Sequence, residues 1–291
     1  MKFKMFSVLV GSEACIANCP FCVSREDPKP DNLVQCPINW RNLRIAANLA
    51  NMSNVDTVMI TSRGEPLLFP KQISEYLVHL KEFNFPFIEL QTNGILLGKN
   101  KDKYDKYLRE WYQNGLTTIT ISVVSHKREL NQKNYFQNKQ DYIDLVELID
   151  YLHELKFCVR LTCVCCKDTM DSREKVEEFI QFAKKHKVEQ VTLRPVNDEY
   201  RRDSAHQWIL KNKLTDKNKK DIMDYLEEKG TRLLVLDRIG TIYDVEGQNV
   251  LFSVPLTKYT RDTNPENLRN LIFFQDGHIR YEWEMEGGIL L

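Results

Sequence analysis

Cys15, Cys19 and Cys22 stand in the stretch ACIANCPFC, residues 14–22, with a proline between the last two thiols. The Cys-x3-Cys-x2-Cys spacing puts three thiolates on one short loop, one fewer than a closed tetrahedral zinc site or a fully protein-ligated iron–sulfur cluster requires. A structural zinc site would need a fourth Cys or His near the triplet. A [4Fe–4S] cluster with one iron left open to a small molecule fits the count better.

The chain has eight cysteines, the others being Cys36, Cys158, Cys163, Cys165 and Cys166. CVCC at 163–166 invites a second cluster. Adjacent residues of a strand point to opposite faces, however, so Cys165 and Cys166 cannot readily share a metal, and a buried cysteine packs as a small apolar residue. Packing is the preferred reading for these thiols and for Cys36, whose alternative is a catalytic thiol or thiyl precursor. Arg160 and Arg194 are candidates for anchoring a carboxylate or phosphate, of a bound cofactor or of a substrate, because a guanidinium offers planar bidentate donors. An interior ion pair with Glu65 or another carboxylate is the equal alternative. His126 and His278 read as surface or satisfied histidines, and Tyr281 and Trp283 as packing residues. No residue is assigned as the catalytic group.

Composition narrows the setting. The 291 residues suffice for one large domain or two moderate ones. With 41 basic and 41 acidic side chains, no overall field draws the chain to nucleic acid or to an anionic membrane. The apolar part of MKFKMFSVLVGSEAC is too short for a signal peptide, and no stretch approaches a membrane span. A cytoplasmic protein is expected, and in that reducing compartment clustered cysteines hold metal or do redox chemistry rather than build disulfides.

The elements that must position these residues follow a rhythm. Short β-branched runs (MFSVLVG, VDTVMIT, FPFIELQT, TTITISVVS, FCVRLTCVC and VEQVTLRP) alternate with amphipathic stretches near 38–53, 70–83, 101–114, 139–156 and 171–186. Strand–helix alternation predicts parallel pairing with right-handed crossovers, and strands this apolar are expected to be covered on both faces. Past residue 200, NDEYRRDSAHQWILKNKLTDKNKKD reads as a solvated connector, followed by a helix near 215–229 and short antiparallel strands. Asp276-Gly277 between alternating apolar runs predicts a hairpin, placed to close the open side of the preceding domain. The division expected is a core of residues 1–200 and a C-terminal β-rich extension of residues 201–291, a charged linker, a helix and hairpins covering that core.

On the triplet, with Phe21 just before the third cysteine, the chain resembles the radical S-adenosylmethionine (radical SAM) enzymes. Further matches follow in order at the ends of predicted strands. TSRGEPLL is similar to the family's Gly-Gly-Glu-Pro segment, with Gly64 and Glu65 in place and Arg63 for the first glycine. QTNG, with Asn93 and Gly94, resembles its Thr-Asn-Gly turn; Ser122 on strand four and Thr162 on strand five take positions that face the cofactor, and alternation puts Arg160 on the face of Thr162 and Arg194 on that of Thr192. The resemblance covers roughly residues 5–200. It implies a partial (β/α)6 TIM-like barrel of the α/β class, with its site at the C-terminal ends of the strands.

It also implies chemistry. Cys15, Cys19 and Cys22 would hold a [4Fe–4S] cluster, and Phe21, Gly64, Glu65, Asn93, Ser122, Arg160, Thr162 and Arg194 would contact S-adenosylmethionine. Reductive cleavage of that cofactor to a 5′-deoxyadenosyl radical would let the enzyme take hydrogen from a substrate. A small molecule or nucleotide ranks above a peptide, because no leader-binding domain or cysteine-rich C-terminal module is evident. An electron donor such as flavodoxin or ferredoxin is the implied partner. The rival readings are a catalytically silent binder of S-adenosylmethionine and an iron–sulfur cluster, and a zinc-binding structural protein.

Overall fold

Polar and apolar positions alternate along the strands so that one face of the sheet is oily and the other is not. The computed structural model describes residues 2–22, 37–196, 204–236, 239–253, 267–283 and 288–291. Six parallel strands, β1 (Lys2–Leu9), β2 (Thr57–Thr61), β3 (Phe87–Thr92), β4 (Thr118–Val123), β5 (Cys158–Cys165) and β6 (Gln190–Pro195), lie side by side in chain order. Between them run α1 (Trp40–Met52), α2 (Pro70–Leu80), α3 (Ile95–Lys99), α4 (Lys101–Gln113), α5 (Arg128–Phe136), α6 (Leu145–Glu154) and α7 (Arg173–Lys185). Strand order rises by one at each step, so right-handed crossovers place these helices on one face. That is the winding of a barrel, not of a doubly wound sheet.

The helix-covered face carries the core. Phe6, Val8, Val58, Ile60, Ile88, Leu90, Ile119, Ile121, Val159, Leu161, Cys163, Val191 and Leu193 are all buried there. Against them pack the apolar stripes of the helices, such as Leu43, Ala46 and Ala50 of α1 and Val176, Phe179, Ile180 and Ala183 of α7. Side-chain caps start the helices where the sequence supplies them: Asp144 accepts from the backbone of Glu147 at α6, and Ser172 from Lys175 at α7.

The opposite face corrects the expectation that both faces of the strands would be covered. Alternation brings Ser7, Met59, Thr61, Glu89, Gln91, Thr120, Ser122, Arg160, Thr162, Thr192 and Arg194 to it, and no helix of the series lies over it. On this face every second position is mostly polar, in line with the alternation that puts Arg160 and Thr162 on one face of β5 and Thr192 and Arg194 on one face of β6. This face lines the lumen of an open, curled sheet.

Beyond β6 come α8 (Ser204–Asn212), α9 (Asp216–Lys229), β7 (Gly230–Leu236), β8 (Gly240–Val245), β9 (Gln248–Ser253), β10 (Asn267–Phe273) and β11 (Ile279–Arg280). These strands lengthen the sheet at both ends. β9 pairs parallel with β6 and carries the antiparallel β8 and β7, while β10 pairs parallel with β1 and β11 folds back on it. The resulting order is β11-β10-β1-β2-β3-β4-β5-β6-β9-β8-β7, with no closing contact between β11 and β7. The Asp276-Gly277 hairpin is present, and its Phe274 joins Leu9, Ile272 and Trp283 in a small apolar cluster of their own. That cluster is separate from the main core because Ile272 is in register with Ser7, on the lumen face.

Two helices differ from the sequence reading. The stretch expected as one helix over 139–156 is helical only from 145 to 154, and α5 precedes it at 128–136. Within the stretch read as a solvated connector, residues 204–212 form α8, because Ile209 is fully buried and Trp208 packs on Phe21.

Candidate cluster and cofactor site

The three cysteines lie on the loop after β1, at the C-terminal ends of the strands. Backbone contacts with the loop after β2 fix its first half. Val10 N–H donates to the Thr61 carbonyl at 2.8 Å, and Glu65 N–H to that of Ala14 at 2.9 Å. The Ser62 hydroxyl meets the carbonyls of Val10 and Ser12 at 2.8 and 3.1 Å, and accepts from Gly64 N–H at 3.0 Å. Gly64 is where the two loops touch: a Cβ there would stand 2.1 Å from the Ala14 carbonyl oxygen. Only glycine allows that approach.

Arg63, which replaces the family's first glycine, reaches Glu13 at 3.2 Å, both side chains being largely buried. The departure from the pattern therefore adds a charge pair between the same two loops. The second half of the loop rests on α5 and α8. Asn18 N–H donates to the Tyr135 carbonyl at 2.8 Å, and the Phe21 ring sits edge-on to Tyr135 at 6.3 Å and tilted against Trp208 at 5.8 Å.

Cys15 is exposed, Cys19 and Cys22 are half-buried, and none of the described cysteines is in a disulfide. Donors approach the Cys15 sulfur from Ala17 N–H at 3.4 Å and from Asn93 Nδ2 at 4.0 Å. Among the described residues no three His, Cys, Asp or Glu side chains converge on a single metal ion. A cubane cluster spreads its ligands over separate irons, so three thiols on one loop with hydrogen-bond donors toward sulfur fit it.

Glu65 is almost fully buried. Its carboxylate accepts from Leu67 N–H at 3.1 Å, from the Thr92 hydroxyl at 2.5 Å and from Asn93 N–H at 3.0 Å, bracing the end of β2 against the end of β3. Burial raises its pKa to about 6, while the Thr92, Asn93 and Leu67 donors pull the other way. The turn that follows is held by its own side chains: the Thr92 hydroxyl accepts from Gly94 N–H and Asn93 Oδ1 from Ile95 N–H, with Gly94 at a φ of +71° that favours glycine. Tyr104, its pKa pushed up to about 12 first by burial and then by Glu65, donates to the Leu67 carbonyl at 2.6 Å.

Deeper in the lumen, Ser122, Thr162 and Thr192 stand in one row. One step below, Arg160 is in register with Thr120 and Gln190, and its guanidinium is engaged by Glu89 at 2.5 Å and Gln190 at 2.7 Å. One step above, Arg194 is in register with Val164. Arg194 is exposed by area although protein surrounds its guanidinium; both hold together for a side chain in an open cavity. That enclosure lowers its pKa, with Glu89 opposing and Arg160 reinforcing the shift.

The remaining candidates lie elsewhere. Cys163 and Cys165 pack in the core, and Cys166 is buried against Thr169, 3.2 Å away, with its thiol pushed up to about 11 by burial. Cys158 is exposed at the start of β5, the opposite end of the barrel. His126 stacks on Phe182 at 5.2 Å, His278 pairs with Asp276 at 3.3 Å, and Trp283 packs on Phe274. Cys36 lies outside the described residues. Sequence reasoning missed Ser62, Thr92, Tyr135 and Trp208, which position the loop; only the Thr92-Asn93-Gly94 turn carried a signal that could have found one of them.

Comparisons with known proteins follow the same outline. The family model described as the Radical SAM superfamily matches residues 9–183. Among solved structures, native anSMEcpe with bound AdoMet is similar over 98% of this chain and 76% of that one, at 14% identity and a TM-score of 0.59. Methylornithine synthase (PylB) is similar over 90% of this chain and 77% of that one, at 14% identity and a TM-score of 0.54. Identities this low speak for the fold alone, an α/β sheet like the partial barrels of radical SAM enzymes, left unclosed. Among curated proteins, a GTPase Obg from Brachyspira hyodysenteriae (strain ATCC 49526 / WA1) is 22% identical over 188 residues, 64% of this chain. The chain spans only 27% of that relative's length. No described helix is long and apolar enough to cross a membrane.

Proposed function

The chain belongs to the Radical SAM superfamily of enzymes, and on that premise we propose that it holds one [4Fe–4S] cluster on Cys15, Cys19 and Cys22 and cleaves S-adenosylmethionine beside it. Once bound, cluster and cofactor supply an electron and a 5′-deoxyadenosyl radical able to take a hydrogen atom from a substrate. The chain's own residues place the reactants and exclude water.

Gly64 lets the loop after β2 lie against the cysteine loop, and Glu65 with Asn93 forms a polar edge for the cofactor's amino group. Phe21 offers a ring to its adenine side, and Ser122 and Thr162 face the lumen for its methionine or ribose. Arg160 and Arg194 supply positive charge for a carboxylate or phosphate. The polar lumen suits a small molecule or nucleotide, and a one-electron donor such as flavodoxin or ferredoxin would reduce the cluster.

One observation carries this reading. The motif residues at the ends of β2 and β3 meet on the first cysteine: Glu65 N–H and Gly64 contact Ala14, and Asn93 Nδ2 approaches the Cys15 sulfur. A structural zinc loop gives no reason for that convergence. The test is anaerobic reconstitution with iron and sulfide, then S-adenosylmethionine and dithionite, with 5′-deoxyadenosine measured by chromatography and mass. Product is the expected result. None despite about four irons per chain, the content of one cubane, would favour a silent binder, and no iron would favour zinc.

A further inference from the structure

The inward face of β1 to β6 carries a charge imbalance. Among the described inward-facing side chains of β1 to β6, the charged ones are Glu89, Arg160 and Arg194, two guanidiniums against one carboxylate. Glu89 is already engaged, because Arg160 holds it at 2.5 Å and Gln190 takes the other edge of Arg160. Among the described residues Arg194 has no hydrogen-bond or ion-pair partner, although it feels the charges of Glu89 and Arg160. Open to solvent by area and inward-facing by register, the Arg194 guanidinium can receive an anion that enters the lumen. The lumen also leaves the Thr120 hydroxyl, in register with Arg160 and 3% exposed, without a partner.

Position separates Arg194 from the residues assigned above to the cofactor's amino end. Gly64, Glu65 and Asn93 follow β2 and β3, whereas Arg194 is on β6, three strands from β3. At about 4.8 Å per strand, that is about 14 Å along the sheet. Arg194 is also the uppermost of the polar inward residues on its strand, one step toward the mouth from Thr192. A group held there faces the site from the far wall.

We propose that Arg194 anchors an anionic group of the substrate, a carboxylate or a phosphate, so that the substrate of the reaction proposed above is an acid bound across the lumen from the cysteine loop. The inference rests on that reading of the reaction and adds the substrate's chemical class. Planar bidentate donation from a guanidinium suits either anion.

The test is chemical modification of the reconstituted protein, kept anaerobic and without reductant. Phenylglyoxal is added and the modification of each arginine is followed by peptide mapping and mass spectrometry. Four arms are compared: no addition, saturating S-adenosylmethionine alone, and saturating S-adenosylmethionine with either inorganic phosphate or acetate. Arg44, an exposed arginine paired with Glu82, is the reference. The expected result is that Arg194 stays reactive with S-adenosylmethionine bound, and that phosphate or acetate slows its modification severalfold while leaving Arg44 unchanged. Selective slowing by phosphate would name a phosphate, and by acetate a carboxylate. Full shielding by S-adenosylmethionine alone would give Arg194 to the cofactor and overturn the proposal, as would a rate that neither anion changes. Release of 5′-deoxyadenosine by an unmodified portion of the same preparation, given S-adenosylmethionine and dithionite, reports separately on the reaction, so the two failures are distinguishable.

Discussion

Replacing Glu65 with glutamine tests whether burial controls the brace between β2 and β3. In the folded protein the Glu65 carboxyl titrates near 6 instead of 4.5, because burial outweighs the three donors that favour its anion. Each pKa unit is about 1.4 kcal/mol, so ionising Glu65 costs about 2 kcal/mol more in the folded than in the unfolded chain. The folded state therefore holds this proton to higher pH. The associated stability is fully present below pH 4.5, falls as the pH rises through about 6, and is absent above. Glutamine removes the titration. It also leaves Asn93 N–H facing a donor, a cost of about 1–3 kcal/mol that does not vary with pH. Urea unfolding of the cluster-loaded wild type and Glu65→Gln, measured anaerobically from pH 4 to 7.5, gives a difference in which shared carboxylates cancel. That difference should move by about 2 kcal/mol against the wild type between the two ends of the range. Parallel profiles would refute the argument, since they would mean that the three donors offset burial completely.

Other outcomes follow from the same contacts. If the cofactor's ammonium group settles beside Glu65, it lowers that pKa, so at pH 6 the wild type should release up to about half a proton more per S-adenosylmethionine bound than Glu65→Gln; calorimetry in buffers of different ionisation enthalpy measures this, and no difference would place the ammonium elsewhere. Gly64→Ala should lower iron content after reconstitution, because the added Cβ must push the Ala14 carbonyl, 2.1 Å away, off its place; full iron content would show that the two loops can separate without harm. Cys19→Ala should lose the brown chromophore and all cofactor cleavage, whereas Cys165→Ala, a core substitution at a fully buried position, should keep its iron while losing stability; a full cluster in the first variant would remove Cys19 from the ligand set.

The parts of this fold that were legible in the sequence are those with local signals. β-branched runs announce the six strands, period-four apolar stripes announce α1, α2, α4 and α7, and the Asp276-Gly277 turn announces its hairpin. The cysteine loop stood out because its three thiols are neighbours in the chain. α5 was not, since only Asn131, Tyr135 and Phe136 of RELNQKNYF are buried, too few to set a period. α8 was hidden by the charge around it, although Trp208 and Ile209 do the packing.

Pairing across the sheet was illegible for a different reason. Alternation gives the face on which a side chain lies but says nothing of its neighbours, so it could place Arg160 and Arg194 together yet could not supply Glu89, 71 residues before Arg160. Glu89 is what makes the two arginines unequal: it engages the lower one and leaves the upper one open. The expectation that both faces would be covered failed at the same positions. A face meant only to be buried would have been filled with valine and isoleucine, as the helix-covered face is. Threonines, glutamines and, on β1 to β6, two guanidiniums against one carboxylate make sense if a polar guest completes them, and the anion proposed for Arg194 would be such a guest.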